Sequence, residues 1–250
     1  MAKESELIRR CMDLIERSEK TQSVTHTSFL TPAEQYEISE WLNYTGISNT
    51  YFEGGYSGSE RTVLFVLPSW CDMTSLDISE YMSAVKITAG FGMPGHRDYL
   101  GSILGLGIKR EWIGDILIDK NIAFVLCLKP ADELIISTLD HVSRYGVKTD
   151  HADFSSIVAP KKSVKFLIFT VQSIRFDAIV GSLFGLSRSH AVKLIAAGAA
   201  SLNYSVCFKN DAPVKEGDII SVRGLGKAKL IGQTGQSRKG RTFLSAERYL

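Results

Sequence analysis

The residues best suited to chemistry lie in one run, Leu186-Ser187-Arg188-Ser189-His190-Ala191-Val192-Lys193-Leu194-Ile195-Ala196-Ala197-Gly198. Ser187 is a good helix N-cap, Ala191, Leu194 and Ile195 recur at helical spacing, and Gly198 suits a left-handed helix end. The run predicts a short helix with one buried face. Arg188, Ser189, His190 and Lys193 fall away from the apolar stripe, so the solvent side of the first two turns presents cations and hydroxyls and no carboxylate. Such a face fits the phosphates of a polyanion.

The flanking sequence supplies the elements that would position this face. Arg175-Phe176-Asp177-Ala178-Ile179-Val180 and Leu183-Phe184-Gly185 read as a first short helix ending in glycine. Ala199 to Leu202 and Val206 to Phe208 read as a hairpin turning at Asn203-Tyr204-Ser205, and the turn Pro213 to Asp218 precedes a strand at Ile219-Ile220-Ser221-Val222. With Arg175, Asp177, the Leu186 to Ala191 run, Leu194-Ile195, Gly198, Asn203, Lys209 and the Val214-Lys215-Glu216-Gly217-Asp218-Ile219 turn, this segment resembles the S4 RNA-binding domain. It departs at Tyr204, where that family usually has Gly, and at the small Ala199-Ala200 pair. The resemblance implies that Arg188 and Lys193 meet phosphates, that Ser187 and Ser189 add hydroxyl contacts, and that His190 stacks or bonds a ribose. Asn203 belongs to the same motif. Arg175, Lys209, Arg223, Lys227 and Lys229 are expected to extend the positive groove along a small sheet beside the helix. Arg238-Lys239-Gly240-Arg241 reads equally as a further phosphate clamp or a solvated hairpin turn.

Charge distribution agrees with that placement. Residues 173–250 hold 12 Lys or Arg against 5 Asp or Glu, a net +7, whereas residues 1–172 are at −5, so the overall +2 hides a strong asymmetry. A basic segment without a long amphipathic helix points to nucleic acid ahead of a membrane. Cys11, Cys71, Cys127 and Cys207 are widely spaced, with no metal-ligand spacing, which reads as reduced thiols. The charged N-terminus lacks the apolar core of a secretory signal, and runs such as Ile122 to Leu128 are strand length. A cytoplasmic protein is expected, with no metal, no cofactor, no small-molecule substrate and no membrane partner.

Upstream, Leu7, Ile8, Cys11, Leu14 and Ile15 mark an amphipathic helix over residues 4–19, and Thr31-Pro32-Ala33-Glu34 opens a second helix with a capping box. Tyr51-Phe52-Glu53-Gly54-Gly55-Tyr56-Ser57-Gly58-Ser59-Glu60-Arg61 resembles a phosphate loop in composition, but a strand, Thr62 to Leu67, and not a helix follows it, so it reads as a hairpin. Further elements are a strand at Ala84 to Ala89, a helix from Arg97 to Leu104, strands at Ile116 to Ile118 and Asn121 to Leu128, a helix from Pro130 through Val142, and a strand at Ser163 to Val171. His96-Arg97-Asp98 shares three letters with the kinase catalytic loop, but Ile103 stands where that loop needs Asn.

Phe29-Leu30-Thr31-Pro32-Ala33-Glu34-Gln35, Gly54-Gly55-Tyr56 with Ser59-Glu60-Arg61, and His96 to Ser102 through Gly114-Asp115-Ile116 together resemble the YlmH family of bacterial proteins. The likeness spans nearly the whole chain and implies an α+β protein of three parts. These are an RRM-like N-terminal α/β domain (1–80), a small central α/β domain (81–172) and a C-terminal S4-type RNA-binding domain (173–250). It also implies non-catalytic binding of rRNA and tRNA on the large ribosomal subunit, in quality control of stalled peptidyl-tRNA, and a link to cell division. No ribonucleoprotein signature lies on an N-terminal strand. Two other readings remain open: an RNA-modifying enzyme of the pseudouridine-synthase kind anchored by the S4-type domain, with Asp98, Asp115 and His96 as available groups, and an adaptor in division or ribosome assembly.

Overall fold

Local signals in the first half of the chain translate directly into structure. In the computed structural model, which describes residues 5–158, 164–237 and 240–249, Ser5 caps helix α1 (Glu6–Thr21) by accepting from Ile8 N at 3.2 Å. After β1 (Thr25–His26), Thr31 caps α2 (Pro32–Thr45), and the Glu34 carboxylate returns to Thr31 N at 2.7 Å, completing the predicted capping box. Strands β2 (Thr50–Glu53) and β3 (Val63–Val66) join β1 in a three-stranded antiparallel sheet, order β1-β3-β2.

Alternation along β3 sends its side chains to two different cores. Leu64 packs with Ile8, Cys11, Ile38 and Leu42 under the two helices, whereas Val63 and Phe65 face Met82, Ala84, Leu126 and Leu128. An RRM exposes one face of a four-stranded sheet to RNA. Here the α+β class holds, but this sheet has three strands and β3 is buried on both faces.

Next come β4 (Met82–Ala89), α3 (His96–Gly105), β5 (Ile113–Asp119), β6 (Ile122–Leu128), α4 (Ala131–Thr138), β7 (His141–Val142) and β8 (Tyr145–Ala152). They build a five-stranded antiparallel sheet, order β5-β6-β4-β8-β7. Tyr99 and Ile103 of α3 and Ile135 of α4 cover one face by packing on Val85, Ile87 and Val125; the other face contributes to the core shared with β3. The sequence carried α4 through Val142. It stops at Thr138 because Leu139 is already extended, and His141–Val142 turns back through Ser143, at φ 54°, to pair with Tyr145–Gly146.

Residues 1–160 and 161–250 form two compact units. In the second, β9 (Val164–Val171), α5 (Phe176–Phe184), α6 (Arg188–Ala196), β10 (Ala200–Leu202), β11 (Ser205–Val206), β12 (Ile219–Val222), β13 (Gly226–Gln236) and β14 (Thr242–Tyr249) make a six-stranded sheet, order β11-β10-β12-β13-β14-β9. Phe176, Ile179, Val180, Leu183, Ala191 and Ile195 of the two helices pack on Val171, Ala228, Leu230, Leu244 and Ala246. The sequence attached the strand ending at Val171 to the central region. Val164 to Val171 instead pair residue by residue with Tyr249 to Thr242; Ser163 lies outside the described residues.

Among the described residues no helix is long and apolar enough to cross a membrane, and no group of three or more His, Cys, Asp or Glu is arranged to hold a metal ion. All four cysteines are free; burial pushes the Cys11 thiol up to about 11.

Candidate nucleic-acid interface

The basic helix is set in place by a buried carboxylate. α5 begins at Phe176, where the loop after β11 satisfies its first backbone donors: Phe176 N donates to Ala212 O and Asp177 N to Asn210 O, at 3.0 and 2.9 Å. An acid in the first helical turn is favoured by the helix dipole. Asp177 is 1% exposed, and its Oδ1 accepts from Ala178 N at 2.9 Å and from Arg175 Nε at 3.2 Å. Its Oδ2 accepts from Arg188 Nε, also at 3.2 Å. Two arginines from two helix starts thus share one buried acid.

Arg188 remains 68% exposed in its side chain. Its bond to Asp177 uses Nε, which leaves both terminal nitrogens as donors. Ser187 caps α6 by accepting from His190 N at 3.3 Å, and its hydroxyl lies 3.1 Å from that of Ser189. His190 and Lys193 are exposed on the same two turns, and Lys193 forms no ion pair among the described residues. Beside them opens a cleft of about 270 Å³ whose lining includes Thr170, Ser173, Asp177, Ser182, Arg188 and Arg241. Arg241 reaches it by donating to Thr170 O at 3.1 Å. The structure therefore gathers Arg175, Ser187, Arg188, Ser189, His190 and Lys193, and adds Arg241; Arg238 and Lys239 lie outside the described residues.

The other predicted residues are placed differently. Asn203 is engaged in the hairpin it initiates: its Nδ2 donates to Asp218 Oδ1 at 2.8 Å and its Oδ1 accepts from Ile219 N at 2.9 Å. Asn203 and Tyr204 both adopt left-handed φ, 47° and 67°, as a two-residue hairpin turn demands. Arg223 and Lys209 are exposed, and Arg223 N is bonded to Ala199 O just past α6. Lys227 and Lys229 alternate with the buried Ala228 and Leu230, so they sit on the sheet face opposite the helices. Lys227 Nζ lies 4.9 Å from the Tyr249 ring centroid, and Lys229 is paired in register with Glu247. The expected continuous groove does not include these two lysines.

In the first unit Asp115 and Asp98 have structural partners. Asp115 accepts from Tyr56 Oη at 2.7 Å, Glu60 N at 2.6 Å and Arg61 N at 3.2 Å, which clamps the glycine loop to β5. Burial, reinforced by that carboxylate, pushes the Tyr56 phenol well above its usual range. Arg61 donates to Ile113 O and Phe29 O, and the Asp98 carboxylate accepts from Gly95 N at 2.8 Å at the start of α3. The motif Gly54 to Arg61 with Gly114-Asp115 is thereby explained as a fold lock.

Comparison with known proteins gives this architecture a class. Residues 76–156 match the family model described as "Putative RNA-binding domain in YlmH". Residues 3–69 match the companion model "YlmH, N-terminal". The chain belongs to the YlmH family. It is similar to the Ribosome-associated protein quality control protein P2 of Bacillus subtilis, 27% identical over 222 residues that cover 89% of this chain and 86% of the relative. Among solved structures it resembles the cell division protein ylmH from Streptococcus pneumoniae, with a TM-score of 0.52 and 20% identity over 64% of this chain and 99% of the other.

The model described as a putative RNA-binding domain covers residues 76–156, where the sequence offers none of the RNA-binding residues expected above.

Proposed function

We propose that this protein is a non-catalytic RNA-binding protein that contacts rRNA and tRNA on the large ribosomal subunit, in quality control of stalled peptidyl-tRNA. Its second unit acts as an S4-type RNA-binding domain. The observation that carries this reading is the first two turns of α6, where Ser187, Arg188, Ser189, His190 and Lys193 face solvent while Asp177 braces Arg188 from beneath. The donor set matches phosphate and ribose contacts, and the +7 charge of residues 173–250 supplies the long-range attraction. The name of the Bacillus subtilis relative supports the ribosomal context.

Sucrose-gradient sedimentation of cell extract at low and moderate salt tests it. The intact chain should travel with free large subunits, and an Arg188→Glu, Lys193→Glu variant should stay at the top. Equal retention of both in the soluble fraction would reject the ribosomal role.

A further inference from the structure

A second exposed surface of the first unit has the chemistry of a base-stacking site. β4 ends at Ala89, and the loop Gly90 to Gly95 leads into α3. Gly90 N donates to Gly146 O at 3.0 Å, fastening this loop to the β7–β8 hairpin. Gly92 has φ 74°, and a Cβ there would stand 2.3 Å from Tyr145 Cε1, so only glycine admits the ring. Tyr145 meets Phe91 edge to face, with centroids 5.5 Å apart and planes at 68°. The Arg144 guanidinium lies 5.2 Å from the Tyr145 centroid and donates to its phenol oxygen at 3.2 Å. The turn that carries Arg144 is tied to α3 by Ser143 N donating to Ser102 Oγ at 3.2 Å.

Despite this bracing, Phe91 is 65% exposed and Met93, two residues on, is 72% exposed. Arg144 forms no ion pair among the described residues, and His96 and Arg97 follow on the solvent side. A lone exposed phenylalanine needs no explanation. An aromatic pair held by backbone bonds, with a guanidinium on one ring and the Asp98 carboxylate acting on it only at longer range, is an ordered π surface whose Phe91 ring is offered to solvent. Nucleobases stack on such surfaces whatever their sequence, and an adjacent arginine adds cation–π and phosphate contacts.

We propose that Phe91, Tyr145 and Arg144 form a stacking platform for unpaired bases of single-stranded RNA. The proposal rests on the RNA-binding reading above but concerns a different site. The α6 face offers donors for the backbone of folded RNA, whereas the platform offers ring faces that duplex bases cannot reach. An RNA ligand is favoured over a protein one because this surface lies within residues 76–156, the segment matching the RNA-binding family model.

The test uses the full chain, a short fluorescently labelled unstructured RNA and a blunt RNA duplex. Phe91→Ala should weaken binding of the unstructured strand by about 5- to 150-fold, the range for one lost stacked base, and leave duplex affinity within about twofold. Phe91→Trp should restore strand binding, and Arg144→Gln, a surface change, should weaken it by a smaller factor. A strand containing 4-thiouridine should crosslink to peptides carrying Phe91 or Tyr145. Unchanged strand affinity in Phe91→Ala and Arg144→Gln overturns the proposal. So does a Phe91→Ala variant that keeps strand affinity but loses a protein partner in nuclease-treated extract. The Arg188→Glu, Lys193→Glu variant separates the two readings. If it loses the duplex and keeps the strand, both sites stand; if it loses neither, the α6 role fails while the platform is judged by Phe91 alone.

Discussion

Asp177→Asn sets charge against bracing, and the two have opposite signs. Removing one negative charge from a segment, residues 173–250, that stands at +7 should strengthen RNA binding on Coulomb grounds. One unit charge acting on a phosphate at roughly 10 Å through water is worth about 0.4 kcal/mol, less than a factor of two after salt screening. Against this, the Asp177 acceptor that holds Arg188 Nε at 3.2 Å is weakened. Immobilising one long side chain on binding costs about 0.5–1.5 kcal/mol, or about two- to twelvefold in Kd. Bracing is the larger effect, so Asp177→Asn should bind purified large ribosomal subunits about two- to fivefold more weakly, with the salt slope unchanged. The same substitution turns an amide NH₂ or an uncharged oxygen toward Arg175 and Arg188. With Arg188 largely solvated, the ion-pair part is discounted to below about 1 kcal/mol, and a further 1 kcal/mol or so reflects weakened buried hydrogen bonds. A total near 2 kcal/mol lowers the Tm of a unit of this size by roughly 8–16 °C. Subunit binding at three salt concentrations and calorimetry of the full chain check both numbers. Tighter binding at every salt, with an unmoved Tm, would refute the bracing argument.

Lys193→Ala should weaken binding uniformly across RNA sequences and reduce the slope of log K against log salt by about 0.7–0.9, as one lost phosphate contact does, in a salt titration with either RNA or subunits. Asp115→Asn should destabilise the first unit by about 2–4 kcal/mol in urea, because it disturbs acceptors for Tyr56, Glu60 and Arg61. It should also lower the Tyr56 phenol pKa in an alkaline absorbance titration. The sign follows from linkage: a raised phenol pKa stabilises the fold below its unfolded value of about 10, and that contribution disappears as pH climbs above it. Brief treatment with a thiol-alkylating reagent near neutral pH should label Cys71 and Cys207 and spare the buried Cys11 and Cys127.

Elements with strong local determinants were legible in the sequence. The Thr31/Glu34 capping box, the Ser187 cap and the glycine ending α5 are each decided by a few neighbouring residues, and each appears where the sequence puts it. Legibility ended where tertiary pairing decides. Leu139 to Val142 have helical composition but are taken by the β7–β8 hairpin. β13 runs through Gly232, Thr234 and Gly235, whose lack of alternation reflects bulges against β14. Of the candidate interface, the cationic residues of α6 could be read from spacing. Their brace could not, because Asp177 sits eleven positions before Arg188 in another helix and only the fold joins them. Lys227 and Lys229 failed to join the groove for the same reason: one sheet thickness separates residues that charge counting treats as neighbours.

The pairing of β9 with β14 has a consequence for how the second unit is made. Partners in this ladder range from Val171 with Thr242 to Val164 with Tyr249, so the first strand of the unit waits for the last. At ribosomal rates of about 5–20 residues per second, that wait lasts several seconds. During it β9 carries Phe166 and Ile168, 69% and 72% exposed even in the finished sheet, with no neighbour on its pairing edge. Such a strand is an aggregation hazard until it is matched. Chains arrested before residue 242 should therefore be insoluble or need a chaperone, although both helices of the unit and the whole α6 face have already been synthesised.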